Sequence, residues 1–429
     1  MLFKNITILD EDLKIQENMY VATENSRIIY IGKDKPDGEF CREYDGKGKF
    51  LMPGFYNSHA HSPMSLMRGY GENMTLQNWL NKRIFPFEDK MDGNAAYWGT
   101  MLSYAESLRF GIVSSSEMYY FIDDMQRAVV DSGVKANISR AIVNFDQSDV
   151  WQLSSMQEMK RTVEAYHNTC DGRLKMDASI HGEYTSNQLA VEAVGGYAKE
   201  NNIRMHVHIS ETKSEHEQCK ERHGGKTPVQ YFNELGIFDV PTTAAHCVWI
   251  EGEDYNILKE RNATVAANPV SNLKLASGVS NVPQMLSKGL NVAIGTDSTA
   301  SNNSLNFIEE MKMFAVSSKA RFSDPEVVSP TQTLYAATRA GALGQGREDC
   351  GILKVGARAD LIVLDIAQPH MHPIHDLKNN LVYSASGSDV ILTMVDGKVL
   401  YDNGEFTTID LERTIFEAQK STERTLAHL

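Results

Sequence analysis

Eight times between residues 54 and 298 a short apolar run of β-like composition gives way to a loop or a stretch of helical spacing. That alternation constrains the fold more than any other feature. The β-like runs are 54–61, 112–118, 135–142, 175–182, 204–211, 242–249, 264–272 and 291–298. Helical patterns lie between them, among them 97–109, 156–166, 187–200, 228–235 and 282–288. Strands separated by helices pair in parallel, because a crossover returns the chain to the same end of the sheet. Eight such units predict an α/β chain closed into a (β/α)8 TIM barrel, and 429 residues is an ordinary length for one.

The flanks read differently. Short strands are predicted at 3–9, 15–22 and 27–32, and again at 359–365, 390–396 and 398–400, with Asp396-Gly397 supplying a hairpin turn. Segments with no place in the barrel can pair with each other, so a small side domain built from both termini is expected. This divides the chain into 1–52, a barrel over 53–350, and 351–429, whose end is helical with Leu411, Ile415, Phe416 and Ala418 on one face.

Composition excludes several partner classes. With 56 Asp+Glu against 42 Lys+Arg the formal charge is −14, opposite in sign to what a phosphate backbone attracts. No apolar stretch reaches the length of a membrane span. The first 15 residues alternate apolar and polar and include Asp10, Glu11 and Asp12, unlike a secretory leader. Five cysteines at 41, 170, 219, 247 and 350 form no CxxC pair and fit a reducing compartment. The expectation is a soluble, cytoplasmic protein acting on a small molecule, with no nucleic-acid or membrane partner.

Chemistry gathers at the ends of the predicted strands. His59-Ala60-His61 ends the first; alternate strand residues share a face, so both imidazoles point into the barrel. His206-Val207-His208 ends the fifth, with Glu211 three residues on. His208 lies nearer the C-terminal rim where barrel sites are built, and His206, a layer deeper, reads as structural. His246 ends the sixth strand and Asp297 the eighth. Each alone has a plain structural explanation. Together they bring His and Asp from four strand ends to one rim.

Three imidazoles (His59, His61, His208) and one carboxylate (Asp297) suit one divalent metal ion and leave a position open for water. Zinc fits foremost, with iron(II) and manganese(II) compatible. A cation there lowers the pKa of water from about 15.7 to roughly 7. Asp297 can accept the proton, Glu211 can donate one to a ring nitrogen of a substrate, and His246 can hold the attacking water.

The motifs Pro53-Gly54-Phe55-Tyr56-Asn57-Ser58-His59-Ala60-His61, His208-Ile209-Ser210-Glu211-Thr212, His246-Cys247-Val248 and Gly295-Thr296-Asp297 resemble the amidohydrolase superfamily. Arg68-Gly69-Tyr70, Asn268-Pro269-Val270-Ser271-Asn272-Leu273-Lys274 and Ser301-Asn302-Asn303-Ser304-Leu305 resemble, more narrowly, its branch of 5-methylthioadenosine/S-adenosylhomocysteine deaminases. The resemblance implies a barrel beside a small β-sandwich formed from both termini. It implies the same metal ligands, with Glu211 as proton shuttle and His246 orienting the water. Substrate contacts carried over are Trp79, Glu88 (ribose hydroxyls), His181, Ser301 and Arg140 (the 5′ extension). The implied reaction converts a 5′-modified adenosine to its inosine analogue and ammonia. Related barrels often associate, so a homo-oligomer is compatible.

Two departures stand out. No second Arg follows Arg140 within 144–153, and Gly182-Glu183 stands where small residues and Pro are more usual. Glu183 is expected to place negative charge near the pocket and repel an anionic substituent. Both weigh against S-adenosylhomocysteine and towards neutral 5′-modified adenosines or another aminated heterocycle. Rival readings are an enzyme for guanine, a pterin or a halogenated triazine, and a catalytically dead barrel acting as a binding protein. A two-metal cyclic amidase would need a bridging Lys ending the fourth strand, where this chain has His181; Lys175 lies at that strand's start.

Overall fold

The structure, a computed structural model, describes residues 1–146 and 148–429. Eight parallel strands pair in chain order: Phe55–Ala60, Ile112–Tyr119, Lys135–Ile142, Leu174–Ile180, Met205–Ile209, Thr242–His246, Thr264–Ala267 and Asn291–Ile294. They are buried almost throughout, as parallel strands covered by helices must be. The eighth meets the first through polar contacts. Asp297 N–H donates to the His59 carbonyl at 2.9 Å, Thr296 N–H to Asn57 Oδ1 at 3.0 Å and Asn57 Nδ2 to Thr296 Oγ1 at 2.7 Å. Gly295 makes this closure possible, since a Cβ there would stand 2.3 Å from Asn268 Oδ1 and 2.9 Å from His59 Cβ.

The later strands are shorter than the apolar runs that predicted them. The run 264–272 ends as a strand at Ala267, because Pro269 has no N–H to pair and opens the helix Pro269–Lys274. At or just past the ends of the fifth, sixth and eighth strands the backbone turns through positive φ at Ser210 (49°), His246 (71°), Cys247 (47°) and Asp297 (60°). Such angles are uncommon for residues with a Cβ and persist where the surroundings over-determine them.

The terminal segments pair into one mixed sheet of nine strands. Its seam is Lys49–Pro53, parallel to Leu2–Leu9 and antiparallel to Leu361–Asp365. The Asp396-Gly397 hairpin forms between Val390–Val395 and Lys398–Asp402, with φ of 47° and 74°. Both halves of the sheet contribute to a separate apolar core that includes Phe3, Ile8, Val21, Leu51, Val363, Leu392 and Met394. The final helix, Leu411–Leu426, lies against the barrel helix Gly93–Arg109, where Arg424 pairs with Asp92 at 3.0 Å.

Sheet and barrel are tied by a buried polar cluster. Lys135, at the start of the third barrel strand, contacts Asp360 and reaches Asp396 Oδ1 at 2.8 Å. Tyr56 O–H donates to Asp360 Oδ2 at 2.6 Å. Among the described residues no helix is long and apolar enough to cross a membrane, and all five cysteines are free thiols.

Candidate metal centre and active site

At the C-terminal rim, the ligand atoms of His59, His61 and His208 all lie within 4.8 Å of one another. Asp297 Oδ1 stands beside this group, 3.6 Å from His59 Nε2 and 3.3 Å from His61 Nε2. The outer ring nitrogens are anchored elsewhere. His61 Nδ1 is 2.5 Å from the Met118 carbonyl, His208 Nδ1 is 2.6 Å from the His181 carbonyl, and His59 Nδ1 is 2.9 Å from His206 Nε2. A carbonyl can only accept, so Nδ1 of His61 and His208 carries the proton and each Nε2 presents a lone pair to the shared centre.

A cation fits these residues. His59 Nε2 is buried and has no hydrogen-bond partner among the described residues, a costly state unless something else binds its lone pair. Burial, and secondarily the neighbouring imidazoles, push His59 and His208 well below the ordinary His range. Both are therefore neutral, as ligation requires. Burial works to raise the Asp297 carboxyl, but His61 and Ser271 overcome it and hold the group ionised. Its Oδ2 accepts from Ser271 Oγ at 2.5 Å and Ser301 Oγ at 3.0 Å, which leaves Oδ1 facing the histidines.

Beside this centre stand Glu211 and His246, with His246 Nε2 3.9 Å from Glu211 Oε2. Glu211 is buried, accepts from Ser277 Oγ at 3.2 Å, and desolvation raises its carboxyl above the ordinary range. Glu215 takes the backbone N–H of Ser210 and Glu211 at 2.9 and 2.8 Å, fixing the turn that presents Glu211. His246 Nδ1 is 2.8 Å from Asn272 Oδ1. Ser62, directly after His61, is held by the buried Glu117 carboxylate at 2.8 and 2.6 Å.

The chamber in front of these groups measures about 90 Å³. His61, His208, Glu211, His246 and Asp297 line it together with Trp79, Glu88, Tyr119, His181 and Tyr184. Trp79 and Glu88 belong to the helical segments Leu76–Trp79, Leu80–Ile84 and Phe85–Glu88, which follow one another across the mouth. Desolvation pushes the Glu88 carboxyl up to about 7 and the His181 imidazole down to about 4. Past Phe85, Glu88, Tyr120 and His181 the chamber meets an outer cleft of about 650 Å³.

Ser301 and Glu183 sit otherwise than the sequence suggested. Ser301 does not line the chamber; its hydroxyl is turned onto Asp297, and Ser298 is at the wall. Arg140 lines the outer cleft and not the chamber, its Nε 2.7 Å from Glu158 Oε2. Glu183 does not project its charge into the pocket. It is buried against Arg222 (Nε to Oε1, 3.0 Å) and His223 (2.7 Å), which neutralise it. Sequence reasoning did not single out Ser271, Asn272, Ser277, Glu117 or Glu158. The first two lie within the quoted 268–274 motif; the others had no local signal.

An amidohydrolase family model matches residues 50–400. A 5-methylthioadenosine/S-adenosylhomocysteine deaminase of Thermoanaerobacter pseudethanolicus is 38% identical over 423 residues, covering 98% of each chain. A 5′-deoxyadenosine deaminase of Methanosarcina acetivorans is 37% identical over 429 residues, covering 100% of this chain and 98% of that one. Among solved structures, an adenosine deaminase from Xanthomonas campestris with bound zinc superposes with a TM-score of 0.92 at 27% identity, covering 99% and 98% of the two chains. Motifs, barrel and relatives agree, and the chain belongs to the amidohydrolase family.

Proposed function

We propose that this chain is a metal-dependent aminohydrolase that deaminates 5′-modified adenosines, with 5-methylthioadenosine and 5′-deoxyadenosine the leading candidates. The observation that carries the reading is the shared approach of His59, His61, His208 and Asp297 beside a buried, protonation-prone Glu211. The two nucleoside-deaminating relatives, aligned end to end, supply the substrate class.

His59, His61, His208 and Asp297 would hold the ion, for which zinc is the assignment. When bound, a divalent cation supplies Lewis acidity and brings the pKa of water down to roughly 7. Asp297, kept ionised, accepts a proton from the attacking water. Glu211 holds a proton that it can give to the purine ring nitrogen beside the amine-bearing carbon, so that no bare anion builds on the ring. His246, fixed by Asn272, positions the water. Neutral His181 offers its free ring nitrogen to the base, Glu88 meets the ribose hydroxyls, and Trp79 closes the apolar side of the chamber. Water and the amine become a ring carbonyl and ammonia.

The free thiols support a reducing, cytoplasmic setting for this chemistry. The test is ammonia release by metal-replete protein from a panel of adenosines, guanine, pterins and cytosine, alongside elemental analysis. Turnover of adenosines is expected; release only from the other rings, or from none, would sink the reading.

A further inference from the structure

The outer cleft is where a substituent on the 5′ carbon would lie if the base sits over the histidines and the ribose at Glu88. Arg140, the cation among the described residues of its lining, is already engaged. Arg140 Nε donates to Glu158 Oε2 at 2.7 Å, its Nη1 donates to the Ala141 carbonyl at 2.8 Å, and its guanidinium stacks 4.6 Å from the Tyr120 ring centre. Glu158 is itself fixed, since its Oε1 accepts from Ile122 N–H at 3.3 Å. Asp89 adds a further carboxyl group to the same lining. An incoming carboxylate would have to displace Glu158 or sit among like charges, whereas an uncharged or cationic group meets no such opposition.

We propose that Glu158 is a specificity-determining residue that holds Arg140 closed to anions, so that the cleft accepts neutral or positively charged 5′ substituents and rejects carboxylates. This rests on the deaminase reading above and names its substrate class more narrowly. Glu158 acts through Arg140 and through the field in the cleft, and so is a positioning residue.

The test compares three adenosines carrying at the 5′ position a methylthio group, a carboxylate-bearing thioether and an ammonium. For each, kcat and KM are measured with wild-type protein and with Glu158→Gln, which keeps the shape and the acceptor oxygen. At 0.02 M salt, removing one unit charge at contact distance should move relative kcat/KM by about tenfold. The carboxylate substrate gains and the ammonium substrate loses relative to the methylthio one, chiefly in KM, and the spread shrinks as salt rises. A purely structural role would shift all three substrates together, and that result overturns the proposal. Glu158→Ala with its melting temperature serves as a second variant should Glu158→Gln fold poorly. If wild-type protein releases ammonia from none of the three, the parent reading and this one fall together. If it turns them over with unmoved ratios in both variants, only this one falls.

Discussion

His206 Nε2 lies 2.9 Å from His59 Nδ1, and both rings are buried in the barrel one layer apart. Burial pushes His206 down to about 3, so it is neutral and fixes the orientation of His59 by a hydrogen bond alone. Replacing His206 by Phe keeps the bulk and removes that bond. Metal affinity should fall about 10–100 fold, the usual cost of losing an outer-shell partner. Competition with a chelator measures this, and unchanged affinity would refute the orienting role.

Asp297 Oδ1 lies 3.6 Å from His59 Nε2 and 3.3 Å from His61 Nε2 while Ser271 and Ser301 secure Oδ2. Asp297→Ala should abolish ammonia release through loss of both a ligand and a proton acceptor. Appreciable residual turnover would contradict the assignment.

The Glu211 carboxyl borders the same chamber, its Oε2 3.9 Å from His246 Nε2. Glu211→Gln should retain the metal and slow the reaction by about 10²–10⁴ fold. Elemental analysis of the variant decides the matter, because loss of metal would make Glu211 a ligand.

Glu310, buried at the start of the helix Phe307–Phe322, is bonded by Asn302 and accepts from Val270 N–H at 3.4 Å. Desolvation nonetheless pushes it up to about 8 from an ordinary 4.5. A folded value above the unfolded one means that its contribution to stability is full below 4.5 and is lost as pH rises through 8. Between those values the loss from this group approaches about 1.4 kcal/mol per pH unit. Glu310→Gln should lack that slope, so urea midpoints at pH 5, 7 and 9 should fall less steeply than in the wild type. Parallel profiles would show that Glu310 is ionised throughout.

Lys135 neutralises Asp360 and Asp396 with its own side chain 3% exposed. Lys135→Met leaves the buried Asp360 carboxylate without its cation, while Asp396 keeps Arg358, and should cost about 3–5 kcal/mol. Chemical denaturation at neutral pH provides the check. A cost near zero would mean that water already reaches the cluster.

Sequence alone determined the parts of this protein that depend on local periodicity and local turn chemistry. Strands alternate at a period of two, so His59 and His61 had to share a face, and Asp396-Gly397 had to tolerate the positive φ of a tight hairpin. The barrel followed from repeated apolar runs, and the rim from where His208, His246 and Asp297 end them. Tertiary structure decided what each polar side chain meets, because partners such as Arg140 and Glu158, Glu183 and Arg222, or Ser301 and Asp297 are set by the stagger of the barrel and the paths of its loops. A charge counted along the chain is only a charge. Whether it faces a substrate or is neutralised inside the fold depends on a neighbour that local pattern does not encode, as the pairing of Glu183 with Arg222 shows.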